Sequence, residues 1–301
     1  MSVVEVNAPA FLDLVEADAE LECIGSGFTF TEGPVWTNRD GGSLLFSDMP
    51  GDTRRRWTPG GGVEVVAHPS NKGNGLSYDL EGRLLICEHS TSSVIRVEPD
   101  GSRTVLASHW QGKELNSPND IVVAADGSMV FTDPPYGRWP GFGVEREQEL
   151  DFCGVYRIAP DGELSLLVDD FLKPNGLCFS PDEKTLWIND TDGGHVRRFS
   201  VSSDGSLTGG EVIYQMAEFS LEIGIPDGQK LDEAGNLWLS GPGGLHVINA
   251  SGELLGRILT PENVGNQAWG GEDWKTLFIC TSSTVHTLRT KVAAHRTPTM
   301  N

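Results

Sequence analysis

Short runs of Leu, Ile, Val, Phe and Trp alternate along the chain with acidic or glycine-containing turns such as DLEG, AADG, SPDEK and DEAG. Asp and Gly tolerate the positive-φ positions of tight hairpins, so each turn joins two short antiparallel strands. Most units continue into a third strand and a further turn, as in VIRVEPDGSRTVLA, GVYRIAPDGELSLLV and LHVINASGELLGRIL. Strands of roughly 4–7 residues with turn signals every 8–12 read as an all-β chain. No helical periodicity extends beyond about two turns.

A longer period overlies the shorter one. Six units begin on a polar residue that leads into an apolar strand: Glu32 (TEGPVW), Asn74 (GNGLSYD), Asn119 (SPNDIVV), Asn175 (KPNGLCF), Asp227 (IPDGQKL) and Asn266 (GNQAW). They lie roughly 40–55 residues apart, near the period of propeller blades. The prediction is a six-bladed β-propeller with a central metal-binding channel. A sandwich rarely repeats one motif six times, and a β-helix has a shorter, stricter period. One propeller domain is expected over residues 20–290, after an N-terminal extension 1–19 and before a C-terminal tail 291–301. The stretch LECIGSGFTF precedes the first complete unit and is expected to complete the last blade as its outer strand. The third unit is lengthened by RWPGFGVEREQELDF, residues 138–152, which predicts a loop near a channel mouth, either a lid or a plain surface loop.

Composition narrows the function classes. A net charge of −21 argues against nucleic acid or an anionic membrane as partner, because phosphate binding needs concentrated Lys and Arg. Hydrophobic residues make up 38% of the chain, enough for a core. The five cysteines, Cys23, Cys87, Cys153, Cys178 and Cys280, are scattered without a CxxC, and four sit in apolar runs as expected for buried thiols. The opening residues lack a basic segment followed by an apolar run, and no window approaches 18 apolar residues. A cytoplasmic protein is the expectation.

The chain carries no G-x-S-x-G elbow, P-loop, H-E-x-x-H or dinucleotide-binding glycine pattern, and its seven histidines are dispersed. The chemistry that remains is the set of polar openings. Glu32 and Asp227 bring negative charge, Asn119 and Asn175 bring amide oxygens, and such a mixture suits Ca2+ with water completing the shell. Zn2+, Mn2+ and Mg2+ stay open on ligand type alone. Asn-Gly and Asp-Gly pairs are also common turn residues. Against that reading, these pairs stand at one phase of the repeat, with Pro before Asn119, Asn175 and Asp227.

The motifs TEGPVW, SPNDIVVAADGSMVFTDPPYG, KPNGLCFSPDEKTLWINDT and IPDGQKLDEAGNLWLSGPGG, in this order over about residues 20–290, resemble those of the gluconolactonase and senescence-marker-protein (regucalcin) family. The resemblance implies a six-bladed propeller holding one divalent cation and opening sugar lactones. It implies Glu32, Asn175 and Asp227 as metal ligands, and Asn119 matches a fourth ligand found in part of the wider group, binding directly or through water. Lys72 and Asn74 fall where the family reaches sugar hydroxyls, although vertebrate members have Arg at the place of Lys72, and a lysine lacks the bidentate fork. Glu88 and His89 follow the second strand of the second unit and are candidates for the channel wall. Tyr136 and Trp139, beside the insertion, are candidates for ligand contact. His286 lies near the place of a histidine in the related calcium-dependent phosphotriesterase diisopropylfluorophosphatase.

The expected mechanism has a metal-polarised lactone carbonyl, attacked by water with Asp227 as general base, a direct nucleophilic role for Asp227 staying open. Two alternatives stay open: an organophosphate or ester hydrolase of the diisopropylfluorophosphatase type, and a non-catalytic calcium-binding propeller. The expected partner is a small-molecule sugar lactone. Oligomeric state, the identity of the lactone and the metal used are not legible. Asn266 is expected to be only a turn residue.

Overall fold

A computed structural model describes residues 2–219 and 221–300. Among these, regular structure is almost entirely strand, and the helical turns are short 3-10 segments. The strands form six antiparallel sheets of four, one of them extended by a fifth, with a small extra hairpin between the second and third. The innermost strands are Thr31–Thr37, Gly73–Tyr78, Ile121–Val123, Pro174–Phe179, Gln229–Leu231 and Val264–Gly270. Each touches the inner strand of the next sheet, and the sixth touches the first, which closes the six-bladed β-propeller.

Closure is made by the N-terminus, as the sequence predicts. Strand Glu22–Ser26 pairs antiparallel with Thr284–Arg289 and becomes the outer strand of blade 6. The residues before it also join the propeller. Val4–Val6 adds the fifth strand to blade 5 by pairing with Leu254–Leu259, and Phe11 is fully buried with its ring 6.3 Å from that of Trp238. At the other end of the chain, the His295 amide donates to the Leu231 carbonyl at 3.0 Å. His295 and Thr297–Met300 then wall a cavity with the far ends of the inner strands, opposite the end where the polar openings lie. The large aromatics pack between blades. Trp36 of blade 1 stacks on Phe278 of blade 6 with centroids 5.1 Å apart, and Trp238 of blade 5 meets Trp269 of blade 6 edge-on at 5.4 Å.

Two repeated devices hold the blades in phase. The first sits at the end of the second strand, in FSD, FTD and IND. Asp48, Asp133 and Asp190 accept backbone N–H bonds from the segment entering their own blade, at Thr29 (2.8 Å), Ser117 (2.7 Å) and Lys173 (2.9 Å). The preceding Ser47, Thr132 and Asn189 donate to the carbonyls of Asn74, Asn175 and Asp227 in the next blade, at 2.8, 2.9 and 2.5 Å.

The second device is close approach. A Cβ on Gly75 would lie 2.4 Å from the Asn119 carbonyl oxygen, and one on Gly176 would lie 2.3 Å from that of Asp227. The Gly75 and Gly176 amides donate to these same carbonyls at 2.8 and 3.1 Å. Glycine is required here because the neighbouring backbone leaves no room for a side chain, and not because of a turn. Gly75→Ala is therefore expected to cost about 1–3 kcal/mol of stability through overpacking. Urea unfolding measures it, and a midpoint equal to the parent protein's would refute the account.

Candidate metal and active site

The inner strands all begin at the same end of the channel, so the polar residues that open them converge. In four of the six, pairing with the second strand shifts register at that point, between Glu32 and Val35, Gly73 and Leu76, Pro174 and Leu177, and Val264 and Asn266. An irregularity of this kind re-aims a side chain that regular pleating would point elsewhere. Glu32, Asn74, Asn119, Asn175, Asp227 and Asn266 are all buried there. The Asn-Gly and Asp-Gly pairs are thus strand starts and not hairpin turns.

The amides form a chain along one side of the ring. Asn74 Nδ2 lies 2.5 Å from Asn119 Oδ1, and Asn119 Nδ2 lies 2.5 Å from Asn175 Oδ1. Asn175 Nδ2 reaches Thr191 Oγ1 at 3.1 Å. His89 Nε2 stands 3.2 Å from Asn74 Nδ2 and 3.3 Å from Asn119 Oδ1, while its Nδ1 is 3.1 Å from the Phe142 carbonyl. On the other side Glu32 Oε2 accepts from the Gly33 amide at 2.6 Å and from Asn266 Nδ2 at 3.3 Å. Asn266 is therefore part of the site, correcting its reading as a turn. It braces Glu32 from below while its Oδ1 accepts from Lys230 Nζ at 3.2 Å.

The electrostatics follow from burial. Glu32 and Asp227 lie side by side, and among the described residues no Lys or Arg forms an ion pair with either. Burial, and next the charge of Asp120, push the Glu32 carboxyl up to about 7. Burial, and next Glu32, hold Asp227 well above the ordinary carboxylate range. Lys230 Nζ is 3.6 Å from Asp120 Oδ2 and balances that carboxylate. Burial lowers His89 to about 4, so its ring is neutral near pH 7. Burial also pushes the Tyr136 phenol up, and Thr191 and Asn175 lie close enough to its hydroxyl to oppose that shift.

Above the ring lies a cavity of about 250 Å³. Glu32, Asn74, His89, Asn119, Asn175 and Asp227 form its polar part, with Asn263 at the edge. Phe30, Met49, Trp139, Phe142 and Ile225 form an apolar wall, and Tyr136 completes it. Trp139 and Phe142 come from the 138–152 insertion, which is pinned in place. Buried Arg138 donates to the carbonyls of Asn116 (2.9 Å), Leu115 (2.5 Å) and Glu147 (2.5 Å), and Arg146 pairs with Glu114 at 3.0 Å.

Three expected contacts do not reach this cavity. Lys72 Nζ donates to the Pro50 carbonyl at 2.9 Å, from a backbone in the left-handed region at both Asn71 (φ 56°) and Lys72 (49°). Glu88 is buried at the end of a second strand, where it takes Arg103, Asn71 (3.2 Å) and Thr91 (2.8 Å) as partners. His286 lies on the third strand of blade 6, bound to Thr284 Oγ1 at 2.9 Å. Strands behind the inner one do not line the channel.

The donor set fits a hard divalent cation. Two buried carboxylates lack a cationic partner, amide oxygens stand beside them, and the buried Asn74 Oδ1 has no partner at all. Among the described residues no three or more His, Cys, Asp and Glu side chains gather at one point, so any cation here is held by two carboxylates together with neutral amide oxygens.

Known proteins agree with this architecture. The family described as SMP-30/Gluconolactonase/LRE-like region matches residues 30–283. A gluconolactonase of Zymomonas mobilis subsp. mobilis is 33% identical over 304 residues, covering 94% of this chain and 85% of that protein. Regucalcin of Xenopus laevis is 27% identical over 267 residues, covering 86% of each. The solved structure of XC5397 from Xanthomonas campestris, a gluconolactonase, superposes with a TM-score of 0.87 at 34% identity, covering 95% of this chain and 94% of that one. The chain belongs to the SMP-30/gluconolactonase/LRE-like family.

Proposed function

We propose that this protein is a lactonase that opens the ester of a sugar lactone, aided by one divalent cation held by Glu32, Asn119, Asn175 and Asp227. Family membership and the near full-length likeness to gluconolactonases support the reaction class. The observation that carries the cation is the pair of buried carboxylates facing amide oxygens with no cationic side chain to balance them. Ca2+ suits such oxygens best, with Mg2+, Mn2+ and Zn2+ to be compared.

A cation bound there supplies Lewis acidity to the lactone carbonyl and lowers the pKa of a water. The protein's own groups supply the rest. Asp227 would be one of the residues holding the cation and, as general base, would accept the proton of the attacking water and return it to the ring oxygen as the ester C–O bond breaks. Glu32 is held in position by the Gly33 amide and Asn266. The free Asn74 Oδ1 accepts a substrate hydroxyl, and the Tyr136 hydroxyl, in the cavity wall beside Thr191 and Asn175, donates to a substrate oxygen. Phe30, Met49, Trp139, Phe142 and Ile225 keep bulk water off the upper face of the ring. The phosphotriesterase alternative loses its sequence-level support, since His286 lies away from the cavity.

Glu32→Gln and Asp227→Asn are each expected to lower kcat/KM by about 10²-fold or more and to weaken divalent-cation binding. A pH-indicator assay with glucono-1,5-lactone, paired with metal analysis, measures both, and full activity in either variant would overturn the assignment. Chelation by EDTA should abolish turnover, and stepwise return of Ca2+, Mg2+, Mn2+ and Zn2+ should identify the effective ion. Undiminished activity of chelated protein would remove the cation from the reaction.

A pH dependence follows from the raised carboxyls. Below about 7 a proton competes for Glu32, so cation affinity should fall as pH drops from 8 to 6, with proton release on binding. In cation-free protein the buried negative charge is unfavourable. Stability should therefore fall as pH rises from the unfolded Glu value near 4.5 to about 7. Glu32→Gln should reduce this loss, which thermal unfolding at pH 5 and pH 8 measures.

A further inference from the structure

The directions of the hydrogen bonds in the amide chain are set from its two ends. At one end the Pro226 carbonyl can only accept, so the Thr191 hydroxyl, 2.7 Å away, donates to it. A hydroxyl has one proton. Thr191 Oγ1 can then only accept from Asn175, which selects Nδ2 at 3.1 Å and turns Asn175 Oδ1 toward the channel. That oxygen accepts from Asn119 Nδ2, and Asn119 Oδ1 in turn accepts from Asn74 Nδ2.

At the other end the Phe142 carbonyl can only accept, so His89 Nδ1 carries a proton and donates to it at 3.1 Å. Nε2 of a neutral ring then accepts, taking a proton of Asn74 Nδ2 at 3.2 Å. The approach of Nε2 to Asn119 Oδ1 at 3.3 Å is a contact between two acceptors. The two ends specify the same direction for the Asn74 amide. Its Nδ2 is committed on both sides, and its Oδ1 is left buried and unpartnered.

We infer that Thr191 and His89 are positioning residues: Thr191 turns the Asn175 amide oxygen toward the cation, and His89 turns the Asn74 amide oxygen toward the substrate. The Thr191 part rests on the cation reading above, and the His89 part on the sugar-lactone reading. A reversed Asn175 amide would present N–H groups to a positive ion. A reversed Asn74 would present N–H groups where a substrate hydroxyl is to donate. The 138–152 insertion acquires a role beyond its apolar side chains, because the Phe142 carbonyl sets the His89 tautomer.

The test uses full-length protein stripped of metal. In calorimetric titration with Ca2+ alone, Thr191→Val, which keeps the shape and removes the hydroxyl, should weaken binding about 10-fold, the range for groups behind metal ligands. Thr191→Ser, which keeps the hydroxyl, should stay within about 2-fold of the parent. Parent-like binding by Thr191→Val overturns the Thr191 assignment, and so does equal weakening in Thr191→Ser. With the effective ion restored and glucono-1,5-lactone as substrate, His89→Phe should raise KM about 10-fold with a smaller fall in kcat, the pattern of lost substrate orientation. His89→Gln retains one donor and one acceptor and should stay within about 3-fold. A KM unchanged in His89→Phe, or raised equally in both variants, overturns the His89 assignment. If the parent protein binds none of the four divalent ions, the cation reading and the Thr191 assignment fail together, and the His89 pair still decides its own part.

Discussion

The structure depends on how closely the blades approach at the floor of the channel. A Cβ on Gly33 would sit 2.0 Å from the Asn74 carbonyl oxygen, one on Gly176 2.3 Å from that of Asp227, and one on Gly228 2.0 Å from the Asn266 side chain. These distances leave each polar side chain within reach of its counterpart in the next blade. A wider ring would separate the amides and carboxylates and turn a site into a set of unrelated loop residues. The spacing that packs the blades is thus also the spacing that makes neighbouring oxygens act on one point. The second-strand hydroxyls and Asn189, bonded to the next blade's carbonyls, prevent the inner strands from sliding along the channel axis.

Charge is rationed around this ring. Six carboxylates at six blade starts would repel one another too strongly in a buried place, and amides at four positions supply oxygen without that cost. Asp120, a third buried carboxylate, is offset by Lys230, which also holds Asn266 and through it Glu32. The two acids left unbalanced are the two that face the cavity. The net charge of −21, by contrast, lies mostly on exposed turns and bears on solubility more than on this centre.

Much of this was legible in the chain because the fold repeats. Glycines required by close approach, acids that fasten each blade entrance and aromatics between blades recur at one phase, and recurrence separates them from ordinary turn residues. Closure of blade 6 by residues 22–26 was legible as a missing strand. What escaped has equally physical reasons. Glu88 and His286 stand near site motifs in sequence, but alternation along a strand does not tell how many strands separate it from the channel, and nothing in the sequence around Lys72 shows that its ammonium bonds the Pro50 carbonyl. Asn266 looked like a turn because its glycine precedes it. Gly265 in fact meets the Thr31 carbonyl oxygen from that side, where an added Cβ would lie 2.7 Å away. Met49 and Ile225 carry no motif, and only the folded loops bring them over the cavity. The 138–152 segment was legible as an insertion; Arg138 and Arg146 make it a fixed wall.

The closing strand has a consequence for the order in which the molecule is made. Glu32 and Asn266 are neighbours in space but 234 residues apart in sequence, and strand Glu22–Ser26 finds its partner only when Thr284–Arg289 exists. During synthesis the first blade must wait, with one flank uncovered, until nearly the whole chain has left the ribosome. Until then Glu32 faces water and the carboxylate pair is not assembled. Pairing of the closing strand and assembly of the candidate cation site are therefore a single event, and a chain that stops before Thr284–Arg289 carries neither a closed ring nor the full set of polar side chains around it.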